Sequence, residues 1–208
     1  MTQAETMKTG TTTVGLICKD CVVLAADSKS TMGYLVASKI VQKIQVIDNM
    51  MAVTIAGGIG DNQQLLRVLK AEINLYRLTR NADVTVKATA TLLSNILQGN
   101  RYYPYMAMLI LGGMDKEGYH LYSIDPAGGV EPEKYTSTGS GSPMAFGVLE
   151  NEFKEGMTRE EGIKLATRAV RSAKERDIFS GGDMISVVVI DAAGTKFVDQ
   201  EKIKQIAK

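Results

Sequence analysis

The sequence predicts an α+β fold, a four-layer αββα sandwich: two stacked, mainly antiparallel sheets with helices on both outer faces. Two observations lead there. The elements read in the order strands, two helices, strands, two helices, strands, and because strands do not alternate singly with helices a doubly wound parallel sheet is disfavoured. Strand runs and helix stripes are both apolar, and only a stack covered on both sides uses every apolar face. At 208 residues the chain can bury one substantial core. No linker, repeat or low-complexity segment interrupts it after residue 10.

Taken in order, residues 12–18 and 21–26 form an apolar hairpin about Lys19-Asp20, and residues 43–47 and 51–56 form a second about Asp48-Asn49. Gly57-Gly58-Ile59-Gly60 ends the last strand and leads into a helix over residues 61–79, with Leu65, Leu66, Leu69 and Ile73 on its apolar face. Asn81-Ala82-Asp83 breaks that helix, and a second spans 84–97. Strands return at 105–111 and 120–124, separated by a turn-rich stretch from Gly112 to Gly118, and residues 135–138 extend the sheet. A helix covers 144–153, and another runs over 158–176 from the capping box Thr158-Arg159-Glu160-Glu161. Strands at 185–190 and 196–198 and a short polar helix close the chain.

Composition removes several function classes. Lys and Arg total 24 against 23 Asp and Glu, so no polybasic footprint for nucleic acid exists. No apolar run approaches the length of a membrane span, and residues 1–10 lack the apolar stretch of a secretory signal. A cytoplasmic address, with no membrane or nucleic-acid partner, is the expectation. Cys18 and Cys21 flank the Lys19-Asp20 turn and face each other across a hairpin, a context that suits structural thiols better than a redox motif or a zinc site.

The single histidine, His120, lies in a strand. Serine and cysteine triads need an imidazole beside the nucleophile, and His120 comes with no nucleophile motif. Neither metal nor cofactor is expected. Gly57-Gly58-Ile59-Gly60-Asp61 sits between a strand and a helix, but the dinucleotide fingerprint places its third glycine where Gln63 stands. The turn exposes backbone N–H groups at a helix start, suited to a phosphate, an oxyanion or a substrate edge.

What remains is a hydroxyl activated by an amine. Gly10 precedes Thr11-Thr12-Thr13 and an apolar strand. Threonines also open ordinary strands. Were the Gly10–Thr11 bond cut, however, Thr11 would carry a nucleophile and an α-amine of pKa near ~7.7–8, close to ideal for a general base. Asp27 ends the second strand and Lys43 opens the third. Read singly, each is a surface charge; a joint role requires the fold to bring both beneath Thr11.

Six segments together carry a resemblance: Gly10-Thr-Thr-Thr-Val-Gly15, Ala26-Asp27, Lys43, Thr54-Ile-Ala-Gly57, Ser137-Thr-Gly-Ser-Gly-Ser-Pro143 and Arg176-Asp-Ile-Phe-Ser-Gly-Gly182. In this order they resemble the β subunit of the 20S proteasome, in its archaeal form, across essentially all of residues 11–208. The resemblance implies an N-terminal-nucleophile hydrolase fold and a threonine endopeptidase that degrades unfolded proteins in a sequestered chamber. It implies a propeptide, residues 1–10, removed autocatalytically at Gly10–Thr11, and one catalytic domain over 11–208. Thr11 would be nucleophile and base, Lys43 the cation lowering the hydroxyl pKa, and Asp27 its holder. Ser140, Asp177 and Ser180 match the supporting network, and the Gly57 N–H matches the oxyanion donor.

The family's first specificity pocket maps onto Ser30, Val41, Gln45, Ile55, Ile59 and Gln63, with Thr31 counted among the substrate-binding residues. Three of the six are apolar and none is charged, which predicts cleavage after apolar or aromatic residues. The implied partners are other β subunits in a seven-membered ring, flanking proteasome α subunits, an ATPase regulator that delivers unfolded substrate, and protein or peptide substrates.

Overall fold

Alternation along the first strands sets the architecture, and the computed structural model describes residues 10–206. Strand β1 (Thr13–Ile17) lies between β2 (Val22–Asp27) and β10 (Tyr135–Thr138), antiparallel to both, with Thr13 opposite Ala26 on one side and Thr138 on the other. β2 continues to β11 (Ile185–Asp191) and then β12 (Gly194–Phe197), giving a sheet of order β10-β1-β2-β11-β12. The second sheet joins β5 (Ile44–Asp48), β6 (Met51–Gly57), β7 (Ala107–Asp115), β8 (Gly118–Ile124) and β9 (Val130–Pro132), again antiparallel. The hairpin β3 (Ser30–Met32) and β4 (Leu35–Ser38) stands apart.

β2 is buried on both faces, so its residues are divided by their period of two. Val23 and Ala25 join Val14, Leu16 and Val187 against α3 (Ser142–Glu152), α4 (Arg159–Arg176) and α5 (Gln200–Ile206), through Leu149, Val170 and Ile203 among others. Val22, Leu24 and Ala26 form another cluster with Val188, Ile190, Ala52, Ile110 and Leu121, which come from both sheets. Met51, Val53, Leu109 and Leu111 of the second sheet pack against Leu65, Leu69 and Ile73 of α1 (Ile59–Arg80) and Leu93 and Leu97 of α2 (Val86–Gly99). The fold is therefore α+β with antiparallel sheets, as expected, but residues 135–138 pair with β1 in the first sheet instead of extending the sheet of the strands at 105–111 and 120–124.

The capping box of α4 forms as read: the Thr158 hydroxyl accepts from the Glu161 N–H, and a Glu161 carboxylate oxygen accepts from the Thr158 N–H at 2.8 Å. Cys18 and Cys21 are buried free thiols joined across their turn by a 2.8 Å backbone hydrogen bond from the Cys18 N–H to the Cys21 carbonyl. α4 lies directly over them, at Gly162, where an added Cβ would overlap Cys18 Sγ and meet Leu16 Cδ1 at 3.1 Å. Gly162→Ala therefore lifts the helix off β1, and thermal unfolding is expected to report a loss of about 1–3 kcal/mol.

The stretch from Gly112 to Gly118 is not a turn throughout. β7 continues to Asp115 and only Lys116-Glu117 reverse the chain. Gly112 and Gly113 are strand residues at close approaches: a Cβ would come within 2.9 Å of Val22 Cγ1 at the first and 2.7 Å of Val86 Cγ2 at the second. β3, β4 and β9 are strands that periodicity does not reveal. The first is half-buried and only three residues long, the second is largely exposed, and the third is a three-residue edge strand ending in proline. No helix among the described residues is long and apolar enough to cross a membrane.

Candidate active site

Thr11 lies two residues before β1, which fixes it between the ends of the two neighbouring strands. The Asp27 N–H donates to the Thr12 carbonyl at 3.1 Å, and the Gly141 N–H donates to the Thr11 carbonyl at 3.3 Å. Gly139, with φ of +94°, and Gly141 leave room for this approach, because a Cβ on either would overlap Thr11 O or Thr12 Oγ1. Thr11 is 5% exposed.

Asp27 and Lys43 are not surface charges. Both are buried, and Lys43 Nζ lies 2.7 Å from Asp27 Oδ1. The carboxylate is saturated. Oδ1 also accepts the Thr12 N–H at 2.9 Å, while Oδ2 accepts the N–H groups of Gly181 at 2.8 Å and Lys29 at 3.2 Å. Burial pushes the Lys43 ammonium below the usual lysine range, and the Asp27 charge and hydrogen bond oppose that fall. A second donor bond runs from Lys43 Nζ to the Gly10 carbonyl at 3.2 Å, and the Thr11 hydroxyl donates to the same oxygen at 2.6 Å. The Gly10 carbonyl is thus polarised by an ammonium and a hydroxyl together.

On the other side, the Thr11 N–H donates to Ser140 Oγ at 3.2 Å. Ser140 and Ser180 both donate to Asp177 Oδ2, at 2.6 and 2.5 Å, and Ser180 Oγ lies 2.6 Å from Thr12 Oγ1. Asp177 is the C-cap of α4, so the end of that helix places the carboxylate against Ser140 and Ser180, and Ser140 connects it to Thr11. The fold brings Thr11, Asp27, Lys43, Ser140, Asp177 and Ser180 into one hydrogen-bonded network.

A cleft opens beside Thr11 between the β3 strand and the start of α1, lined by Ser30, Thr31, Val41, Ile55 and Ile59 along with Lys43 and Gly57. Gln45 and Gln63 lie in an adjoining depression that shares Val41, Ile55 and Ile59 with it. Gly57 has φ of +115° at the end of β6, and a Cβ there would overlap the Met106 carbonyl, so only glycine fits.

His120 sits elsewhere, with Nε2 3.1 Å from Asp115 Oδ1 and its ring stacked on Tyr122. Three contributors escape sequence reasoning. Phe179 packs on Gly10 so closely that a Cβ on the glycine would overlap it. The Gly181 N–H clamps Asp27, and Asn62 lines the cleft. The Gly181-Gly182 pair was the one available signal, since both adopt positive φ.

A family model described as proteasome subunit matches residues 7–190. The proteasome subunit beta of Methanosarcina barkeri is 48% identical over 95% of this chain and 93% of its own length. That of Methanocaldococcus fervens is 51% identical over 95% of this chain and 88% of its own, and that of Methanothermobacter thermautotrophicus is 43% identical over 99% and 97%. The chain belongs to the proteasome subunit family.

Proposed function

We propose that this chain is a threonine endopeptidase subunit of a proteasome core, activated by cutting its own Gly10–Thr11 bond. The observation that carries the reading is the pairing of Thr11 Oγ and Lys43 Nζ on the Gly10 carbonyl, above the buried Asp27. In the uncut chain, Thr11 Oγ adds to the Gly10 carbonyl carbon and the C–N bond breaks. The hydroxyl proton ends on the departing Thr11 nitrogen, leaving an ester. That step frees the α-amine, and water then hydrolyses the ester, giving a Gly10 carboxylate and restoring the Thr11 hydroxyl. The leader through Thr9 lies outside the described residues.

In the mature chain the α-amine accepts the hydroxyl proton as Oγ attacks a peptide carbonyl. Lys43 stabilises negative charge at that hydroxyl, and the Gly57 N–H supports the developing oxyanion. The proton passes to the leaving amine, and water releases the acyl group. Ser140, Asp177 and Ser180 hold the amine end. Val41, Ile55 and Ile59 favour apolar or aromatic side chains before the scissile bond, with Ser30, Thr31, Gln45 and Gln63 around them.

The three apolar clusters support a four-layer αββα arrangement for the fold. Assembly into a seven-membered β ring with flanking α subunits, a feeding ATPase and a cytoplasmic address belong to the same reading. Co-expression with an α subunit tests it: intact mass is expected to place the mature N-terminus at Thr11, and peptides ending in Tyr or Leu are expected to turn over faster than those ending in Arg or Glu. An uncut chain or the reverse preference would refute the corresponding part.

A further inference from the structure

Among the described residues, three buried side-chain polar atoms have no hydrogen-bond partner: Asn62 Oδ1, Thr167 Oγ1 and Thr195 Oγ1. Such atoms carry an uncompensated desolvation penalty, so each asks for a reason. Of the three residues, Asn62 alone lines the cleft beside Thr11. It is 1% exposed, on the inner face of α1. Its Nδ2 donates to the Gly58 carbonyl at 2.7 Å, and its backbone N–H donates to that carbonyl at 3.0 Å. The amide is thereby pinned to the first turn of the helix, leaving its oxygen as the free arm. An acceptor without a donor is a half-built contact.

We propose that Asn62 is a specificity-determining residue whose Oδ1 accepts a hydrogen bond from the side chain before the scissile bond, selecting tyrosine over phenylalanine. This rests on the peptidase reading of the cleft. The donor it takes is neutral, because Lys43 lines the same cleft and no carboxylate does. The walls at Val41, Ile55 and Ile59 suit an aromatic ring, and a phenol places an O–H at the end of one. Because Oδ1 is buried and unpaired before substrate arrives, a tyrosine relieves that penalty and a side chain lacking the donor leaves it standing.

The test uses the assembled, processed particle and peptides identical except for tyrosine, phenylalanine or O-methyltyrosine before the scissile bond. Tyrosine is expected to exceed phenylalanine about tenfold in kcat/KM. O-methyltyrosine, which keeps the oxygen and loses the donor, is expected to do no better than phenylalanine. In Asn62→Leu the ratio of tyrosine to phenylalanine turnover is expected to collapse to within about twofold. Equal turnover of tyrosine and phenylalanine by the unaltered particle overturns the proposal, as does a preference that survives Asn62→Leu. The peptide series on the unaltered particle decides the matter even where the variant fails to assemble. A processed particle that cleaves none of the peptides strikes the peptidase reading itself, whereas one that cleaves all three alike strikes only the role of Asn62.

Discussion

Thr11→Ala is expected to yield a particle that keeps residues 1–10 and cleaves no peptide. The substitution removes the oxygen that lies 2.6 Å from the Gly10 carbonyl and leaves the surrounding network nearly intact, because the Thr11 N–H bond to Ser140 and the Gly141 bond to the Thr11 carbonyl involve backbone atoms. Folding and assembly are therefore expected to survive. Losing a covalent nucleophile costs roughly 10⁶-fold in turnover. Intact mass and fluorogenic peptide hydrolysis measure the two effects separately. Thr11→Ser, which keeps the hydroxyl, is expected to restore both in part. Processing in the alanine variant would end the self-cleavage mechanism.

The second large effect is expected at Asp27→Asn, a change of nearly constant shape. The carboxylate accepts four bonds, two on each oxygen, from Thr12, Lys43, Lys29 and Gly181. An asparagine has one oxygen, so either orientation aims an NH₂ at two donors. It also leaves the Lys43 ammonium buried without its counter-charge, a loss of about 3–5 kcal/mol for a broken buried pair. The expected outcome is a melting point lowered by roughly 10 °C. Peptidase activity is expected to fall by about 10²–10³-fold, the scale of misplacing a charge that stabilises the reacting oxygen. Wild-type stability in this variant would show that Lys43 is held by something other than Asp27.

Much of the frame was legible because burial on a fixed period leaves a mark. β1, β2, β6 and β11 are continuous apolar runs, α1 and α4 carry apolar stripes, and Thr158 and Glu161 announce the start of α4. Short strands without a buried residue leave no such mark, so β3 and β4 were invisible. Gly112 and Gly113 misled for the opposite reason: glycine signals both a turn and a tight approach, and only the neighbours Val22 and Val86 decide which. Within the site, the junction and the elimination of imidazole chemistry pointed to Thr11, but the burial of Asp27 and Lys43 depends on two sheets meeting. Asn62 was beyond reach of sequence, since an unpaired oxygen is a property of its surroundings.

The position of β1 has a consequence for what cleavage leaves behind. Chain ends ordinarily fray, since their last residues have few partners. Here the residues next to the cut are held from both flanks, by Asp27 bonds to the backbone of Thr12 and by Gly141 on Thr11. A terminus made by cutting at Gly10 would be born at the buried end of a sheet, its entropy already spent during folding. A nucleophile at Thr11, as proposed, would then meet each substrate without a search of its own, and the cost of orienting it would be borne once in the life of the chain.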